Sequence, residues 1–405
     1  MFTPQTSKHF TKHMNENGIE FYVLSTHIAP VQQGFYFINT GYSEDTGRYL
    51  YFYCAYPPST GHTLGVVDFL TDEVYALPDT GSSGASWYIE PKNGNVWFGA
   101  PNGIYRRSPE KEARPELIFP WPQYIKDCRI TGYGTHITFS PDGKELLTDV
   151  QTWEGSFIGT FHLETGEYTE WYRTPYGIPY NHAQYSPVDP DVCMCAHEGF
   201  SNPLTGEHHE PYLTEEGIYP RLEIIHRDGT RDMRPPFGNY ASHEFWAPDG
   251  KSIYYVNNNA CYDKTPGDGG TFRHHLIVRD ILEENRTEVV CDIPVENGVG
   301  CWHSHCTKDQ KYFVVDGSYP SYDRIWWRGC PSLVRFWNNE TKKLLEICTL
   351  NPPVEGWTPD NPSPYHIDPH PRFVLNDTLV CFTTTVCGRV DLALAPVQQL
   401  IDATK

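Results

Sequence analysis

Residues 246–256 read WAPDGKSIYYV: the end of one strand, a Pro-Asp-Gly turn, and a second strand of apolar and aromatic residues. Proline pre-sets the backbone for a turn, aspartate bonds back to it, and glycine admits the left-handed conformation that closes it. The form recurs as YSEDTGRYLYFY (42–53), IEPKNGNVWFG (89–99), FSPDGKELLTDV (139–150), YSPVDPDVCMCA (185–196), CTKDQKYFVVDG (306–317) and FVLNDTLVCFTT (373–384). Seven copies at intervals of 46 to 67 residues mark a repeat architecture.

Most copies are followed by a second hairpin, as in LGVVDFLTDEVYAL, IGTFHLETGEYTEWY, LEIIHRDGTRDMR, LIVRDILEENRTEVV and LVRFWNNETKKLLEI. Two hairpins make four antiparallel strands, which is one propeller blade. The pattern predicts an all-β, seven-bladed β-propeller spanning residues 1–405 as a single domain. The last repeat stops early at VDLALAPV, so EFYVLST (20–26) is expected to supply its missing outer strand and close the ring, leaving residues 1–18 as an N-terminal extension.

Composition narrows the partners. The chain carries a net charge of −20, which repels nucleic acid and anionic membranes. Its 12 cysteines are scattered with no CxxC pair, and the opening MFTPQTSKHFTKHMNENG has no apolar core of signal-peptide length. Reduced thiols, no spanning segment and a cytoplasmic location are the expectation.

Four residues before the Ser or Ala that leads each turn, or its equivalent, stand His136, His182, His243, His303 and His370 in blades three to seven; blades one and two have Asn39 and Ser86. The innermost strand of each blade lines the axis, so equivalent positions form a ring. Neutral imidazoles near one another suit a metal ion or proton transfer. On the histidine face, links between second and third strands are long at 199–219, 257–272 and 317–330, and loops on rigid scaffolds carry function. Arg221, Arg273, Arg324, Arg328 and Arg389 stand near strand starts on that face. A guanidinium fork suits a carboxylate.

One reaction uses histidines, a divalent cation and arginines together: β-elimination from a uronic acid. A base removes the proton α to a carboxylate that arginine or metal has neutralised. No GxSxG, P-loop, HExxH or dinucleotide-binding signal favours another class. The alternatives are a non-catalytic interaction scaffold and a glycoside hydrolase, for which Glu198 and Glu244 would be the carboxylates.

The blocks NHAQYSPVDPDVCMCAHEG, the Arg221 strand, SHEFWAPDGKSIYYV, HSHCTKDQKYFVVDG, DPHPRF and GFYFINTGY resemble the oligogalacturonate lyases, a family of cytoplasmic seven-bladed propellers. The resemblance implies β-elimination of short pectic oligomers with a manganese ion held by histidines and a glutamine. It implies His243 as base, Arg221 as carboxylate partner, and His303 and His370 as metal ligands. Departing from the family's pattern, Tyr365 stands where the glutamine is expected and Asp368 where a histidine is expected; Asp368 and His366 complete the expected metal set. His136, His182, His197, Arg273 and Arg328 are assigned to substrate binding. The partner is a small acidic oligosaccharide, with a glucuronate-containing disaccharide as an alternative to galacturonate.

Overall fold

In the computed structural model of the 405-residue chain, residues 1–82, 87–174, 180–197, 200–201, 208–209, 213–214, 217–218, 221–234, 241–257, 274–294, 301–318, 332–352, 354–355, 365 and 367–405 are described. Seven antiparallel sheets follow one another along the sequence, each running from an inner strand outward. The inner strands are Val31–Gln33, Tyr88–Ile89, Thr138–Phe139, Tyr180–Tyr185, Ala241–Trp246, Ser304–Cys306 and Arg372–Val374. The chain is a seven-bladed β-propeller.

Closure comes from the N-terminus, as the truncated last repeat predicts. Glu20–Leu24 pairs with Asp391–Pro396 through Tyr22 opposite Leu394 and Val23 opposite Ala393. The segment read as an extension adds a further strand, Phe10–Met14, so blade seven has five strands. The short helix Val397–Ala403 covers the neighbouring blade with Val397 and Leu400.

The core is divided in the same way as the ring. Each pair of adjacent blades encloses one apolar cluster. Strand alternation supplies both sides: in blade seven Val380 and Phe382 face blade six while Leu379 and Cys381 face blade one. The closing strand repeats the division, with Phe21 and Val23 on one side and Tyr22 and Leu24 on the other. Strands buried on both faces are why the repeats read as near-continuous apolar runs rather than clean alternation.

Blade one departs from the repeat. Its inner strand pairs from Val31, opposite Ala55, to Gln33, opposite Tyr53, and the chain rejoins the ladder at the Tyr42–Leu50 bridge. The residues between run to the axis. Phe35 enters the cluster between blades one and two, whereas Tyr36 and Phe37 enter the one between blades five and six. Asn39 Nδ2 donates to the Ile137 carbonyl of blade three at 2.9 Å, and Arg372 of blade seven donates to the Phe37 carbonyl. Segment 34–40 therefore fills the centre of the ring.

Truncating a buried phenylalanine loses apolar burial and leaves a cavity. Phe21→Ala, in the closing strand, is expected to lower stability by about 3–5 kcal/mol in urea unfolding. Met14→Ala, on the outermost strand of blade seven (64% exposed), should change it by no more than about 0.5 kcal/mol.

Candidate active site

The axial histidines are placed by breaks in the inner ladders. In blade four, pairing passes from Asn181–Ala196 to Gln184–Met194, so His182 and Ala183 share one position opposite Cys195. Blade five shifts register in the same place, between Ser242 and Phe245, at His243 and Glu244. A bulge re-aims the side chains it carries. His182, His243 and His370 all have left-handed backbones, with φ of 56°, 52° and 44°. For a residue other than glycine this costs of order 1–3 kcal/mol, and such strain concentrates at functional sites. The same departure at one position in three blades belongs to the site.

The five histidines converge, and they do so in two groups about one ring. Tyr36 lies 5.4 Å from His136, 6.0 Å from His182, 5.8 Å from His303 and 4.9 Å from His370, between ring centroids. On one side His136 and His182 stack at 4.6 Å. On the other, His243 meets His303 at 4.3 Å and His303 meets His370 at 4.3 Å, both edge-on. Phe37 packs beneath the second group, 5.4 Å from His303 and 6.5 Å from His243.

The second group contains a cation-type donor set. One ligand atom each from His303, Asp368 and His370 lie within 4.8 Å of one another. The set fits a divalent ion by its chemistry, two imidazole nitrogens and a carboxylate oxygen. One detail supports it from within the fold. The buried carboxylate of Asp316 accepts from the His303 backbone N–H at 2.8 Å, from His303 Nδ1 at 2.8 Å, and from the His370 backbone N–H at 3.1 Å. With Nδ1 so committed, the buried Nε2 of His303 has no hydrogen-bond partner among the described residues. A carboxylate behind the imidazole fixes the tautomer and aims the other nitrogen, as at metal-binding histidines. Burial pulls the His303 pKa down, but the Asp316 carboxylate, with Asp368, carries it above the ordinary imidazole value.

His243 has the opposite surroundings. Burial, then His303 and the Arg221 cation, hold it well below the ordinary imidazole value, against the pull of Glu244 and Asp368. Its Nδ1 lies 3.1 Å from Ser242 Oγ. Glu244, re-aimed by the bulge, is 1% exposed and joins two blades: Arg221 Nη1 donates to Oε2, and His182 Nδ1 lies 3.1 Å from Oε1. Burial raises the Glu244 pKa, but Arg221 and His182 outweigh it and keep it well below the carboxylate range. Glu244 is thus an ionised structural partner, which removes it as the proton donor that a hydrolase needs.

His136 is fully buried between Tyr36 and His182, beneath the surface a substrate would touch. His197 lies one strand further out, and its backbone N–H donates to the Arg221 carbonyl at 2.8 Å. Tyr365 does not join the donor set: its hydroxyl donates to the Ser59 carbonyl within a satellite cluster of Val31, Ala55, Ile367 and Val390. Arg389 is committed to Asp391 at 3.3 Å and to the Ala29 carbonyl at 3.0 Å. Arg273, Arg324, Arg328, His366, Glu198 and Ser86 lie outside the described residues. Tyr36, Phe37 and Asp316 were not singled out from sequence. The aromatic run GFYF ahead of the first turn was the available signal for the first two, and Asp316 sits at the end of the sixth copy without a marker.

A stretch of 247 residues is 27% identical to the oligogalacturonate lyase of Dickeya dadantii (strain 3937). The chain resembles the oligogalacturonate lyases in sequence and in fold. That match covers 58% of this chain and 54% of the relative, so it spans about half the length of the lyase. In three dimensions the chain superimposes on the crystal structure of oligogalacturonate lyase from Vibrio parahaemolyticus with a TM-score of 0.70 over 98% of each chain, at 17% identity. An oligogalacturonate lyase in complex with manganese gives a TM-score of 0.69 over 96% of each, at 18% identity. At these identities the structural likenesses establish the fold. No family model matches the chain.

Two outcomes follow from the site geometry. Asp316→Asn should weaken any divalent-cation binding at His303, Asp368 and His370 about 10–100-fold in calorimetric titration, because His303 loses its orienting carboxylate. Arg221→Ala should lower stability by about 3–5 kcal/mol in urea unfolding, because it strands the buried Glu244 charge.

Proposed function

We propose that the protein is a metal-dependent lyase that cleaves short uronate-containing oligosaccharides by β-elimination, in the manner of the oligogalacturonate lyases it resembles. One observation carries the reading: the His243 ring meets that of His303, a member of the donor set, at 4.3 Å, while Glu244, next to His243 in sequence, holds the Arg221 guanidinium. A base therefore stands next to the groups that would neutralise a substrate carboxylate.

His303, Asp368 and His370 would hold the ion, with manganese the candidate given the complex recorded for a similar lyase. A divalent cation bound there supplies positive charge against the uronate carboxylate. Arg221 adds a fixed guanidinium on the neighbouring blade, pre-positioned by Glu244. His243 then accepts the proton α to the carboxylate. The electrons of that C–H bond pass into the carboxylate as an enolate-like intermediate; they then form the carbon–carbon double bond as the β carbon–oxygen bond breaks and the leaving alcohol takes up a proton. Tyr36 and Phe37, from the apolar cluster between blades five and six, pack against His303 and His370.

The acidic balance is compatible with this substrate if it is short. At physiological salt, charges beyond about 8–10 Å are screened, so local cations govern a di- or trisaccharide. Galacturonate and glucuronate oligomers are both candidate substrates, and a cytoplasmic location fits small, already depolymerised material. No helix among the described residues is long and apolar enough to cross a membrane.

The test is a panel of uronate di- and trisaccharides with manganese, followed by ultraviolet absorbance of the conjugated unsaturated product. Absorbance should rise with at least one substrate, vanish with a chelator, and fall about 10²–10⁴-fold for His243→Ala. A protein that carries no stoichiometric metal and yields no absorbance is a scaffold, and the proposal fails.

A further inference from the structure

Elimination needs a proton donor for the departing oxygen as well as a base, and His243 is occupied with the first proton. We infer that His182, oriented by Glu244, is the residue that protonates the leaving alcohol. The assignment rests on the lyase reading above and extends it to the second half of the reaction.

Four observations place His182 in that role. It belongs to the half of the ring that holds no part of the donor set, so a cation bound to that set does not engage it. Its side chain keeps 20% exposure, whereas His136, His303 and His370 are almost wholly buried. The ladder break and the left-handed backbone of His182 match those of His243 one blade away, so two imidazoles leave their strands in equivalent fashion on adjacent blades. Finally, Glu244 occupies Nδ1 at 3.1 Å, which leaves Nε2, on the far side of the ring, as the nitrogen that handles a transferable proton.

Among the described residues, the charged and titratable groups around the imidazole are Glu244, Arg221 acting through Glu244, Asp149, His136 and the Tyr36 phenol, whose ring centroid lies 6.0 Å away. His136 lies face-on at 4.6 Å and is held far below the ordinary imidazole value by burial and then by His182. Asp149 is turned aside: its Oδ1 accepts from Thr135 N–H at 2.9 Å and Thr135 Oγ1 at 2.8 Å, while the same hydroxyl accepts from the His182 backbone N–H at 2.8 Å. Backbone and ring of His182 are therefore both fixed. In the step itself, the Nε2–H bond breaks as an O–H bond forms on the departing oxygen. His182 ends neutral with Nδ1–H still directed at Glu244. The proton taken by His243 and the proton given by His182 balance, so enzyme and product together carry the charge they began with.

The two histidines separate under a change of leaving group. The experiment compares digalacturonate with a galacturonate bearing a 4-nitrophenyl ether at the β position, whose aryloxide departs without protonation. In His182→Gln, cleavage of digalacturonate should fall at least about 100-fold, the scale of general acid catalysis, while release of nitrophenolate falls less than about 10-fold. Digalacturonate recovered from the variant in deuterated water should carry deuterium α to the carboxylate, because the first proton transfer persists. His243→Ala should lose both activities and the exchange. Unchanged manganese affinity shows that the axis of the variant is intact, and His182→Asn replaces it if that affinity drops. Equal losses on the two substrates, or no deuterium in recovered digalacturonate, overturn the assignment while leaving the lyase reading in place. A parent protein inactive on both substrates overturns the lyase reading and the assignment with it.

Discussion

A four-stranded blade has two apolar faces and can bury neither alone. Every blade here is stable because it lies between two others, and the seven interblade clusters together make one closed core. This constraint also makes the site. Once the faces are packed, the inner strands must start around one axis, and side chains separated by 46 to 67 residues along the chain meet there. The N-terminal strand, with Phe21 and Val23 on one side and Tyr22 and Leu24 on the other, secures the junction between first and last blades.

The ring left by packing is too regular to be a catalyst, and the site arises where regularity is broken. Bulges at His182 and His243 turn consecutive residues in ways a flat ladder forbids. One result is that Glu244, neighbour of the proposed base, turns into the core to bind Arg221 and His182. Two buried carboxylates divide the work. Asp316 ties blades six and seven and aims His303; Glu244 ties blades four and five and holds a cation and an imidazole. Segment 34–40 supplies the floor. Surroundings then distinguish otherwise equivalent histidines: His303 Nδ1 is held by the Asp316 carboxylate, whereas burial, His303 and Arg221 push the His243 pKa down.

The blade plan was readable because turn chemistry and strand composition are local and recur seven times. The axial placement of His303 and His370 was likewise readable, since position relative to a recurring turn fixes position relative to the axis, whereas their grouping with Asp368 as a donor set was implied only by the family resemblance. Three features were not. Strict alternation would have pointed Glu244 away from the axis, but the bulge overrides alternation and has no composition signal of its own. Asp316 lies on a second strand, where nothing distinguishes a carboxylate behind an imidazole from a solvated one. The axial course of Tyr36 and Phe37 follows from a long-range fit into the cluster between blades five and six, which blade one's own sequence does not contain. Tyr365, which stands where the resemblance expects a glutamine ligand, is spent on packing and on the Ser59 carbonyl.

The whole account depends on imidazoles from separate blades sharing one ion at the axis. Pulsed electron paramagnetic resonance of the manganese-bound protein counts directly coordinated imidazole nitrogens. Two are predicted, one lost in His303→Ala and one in His370→Ala, with both retained in His243→Ala. A bound ion with no imidazole nitrogen, or a count indifferent to His303 and His370, would contradict the account.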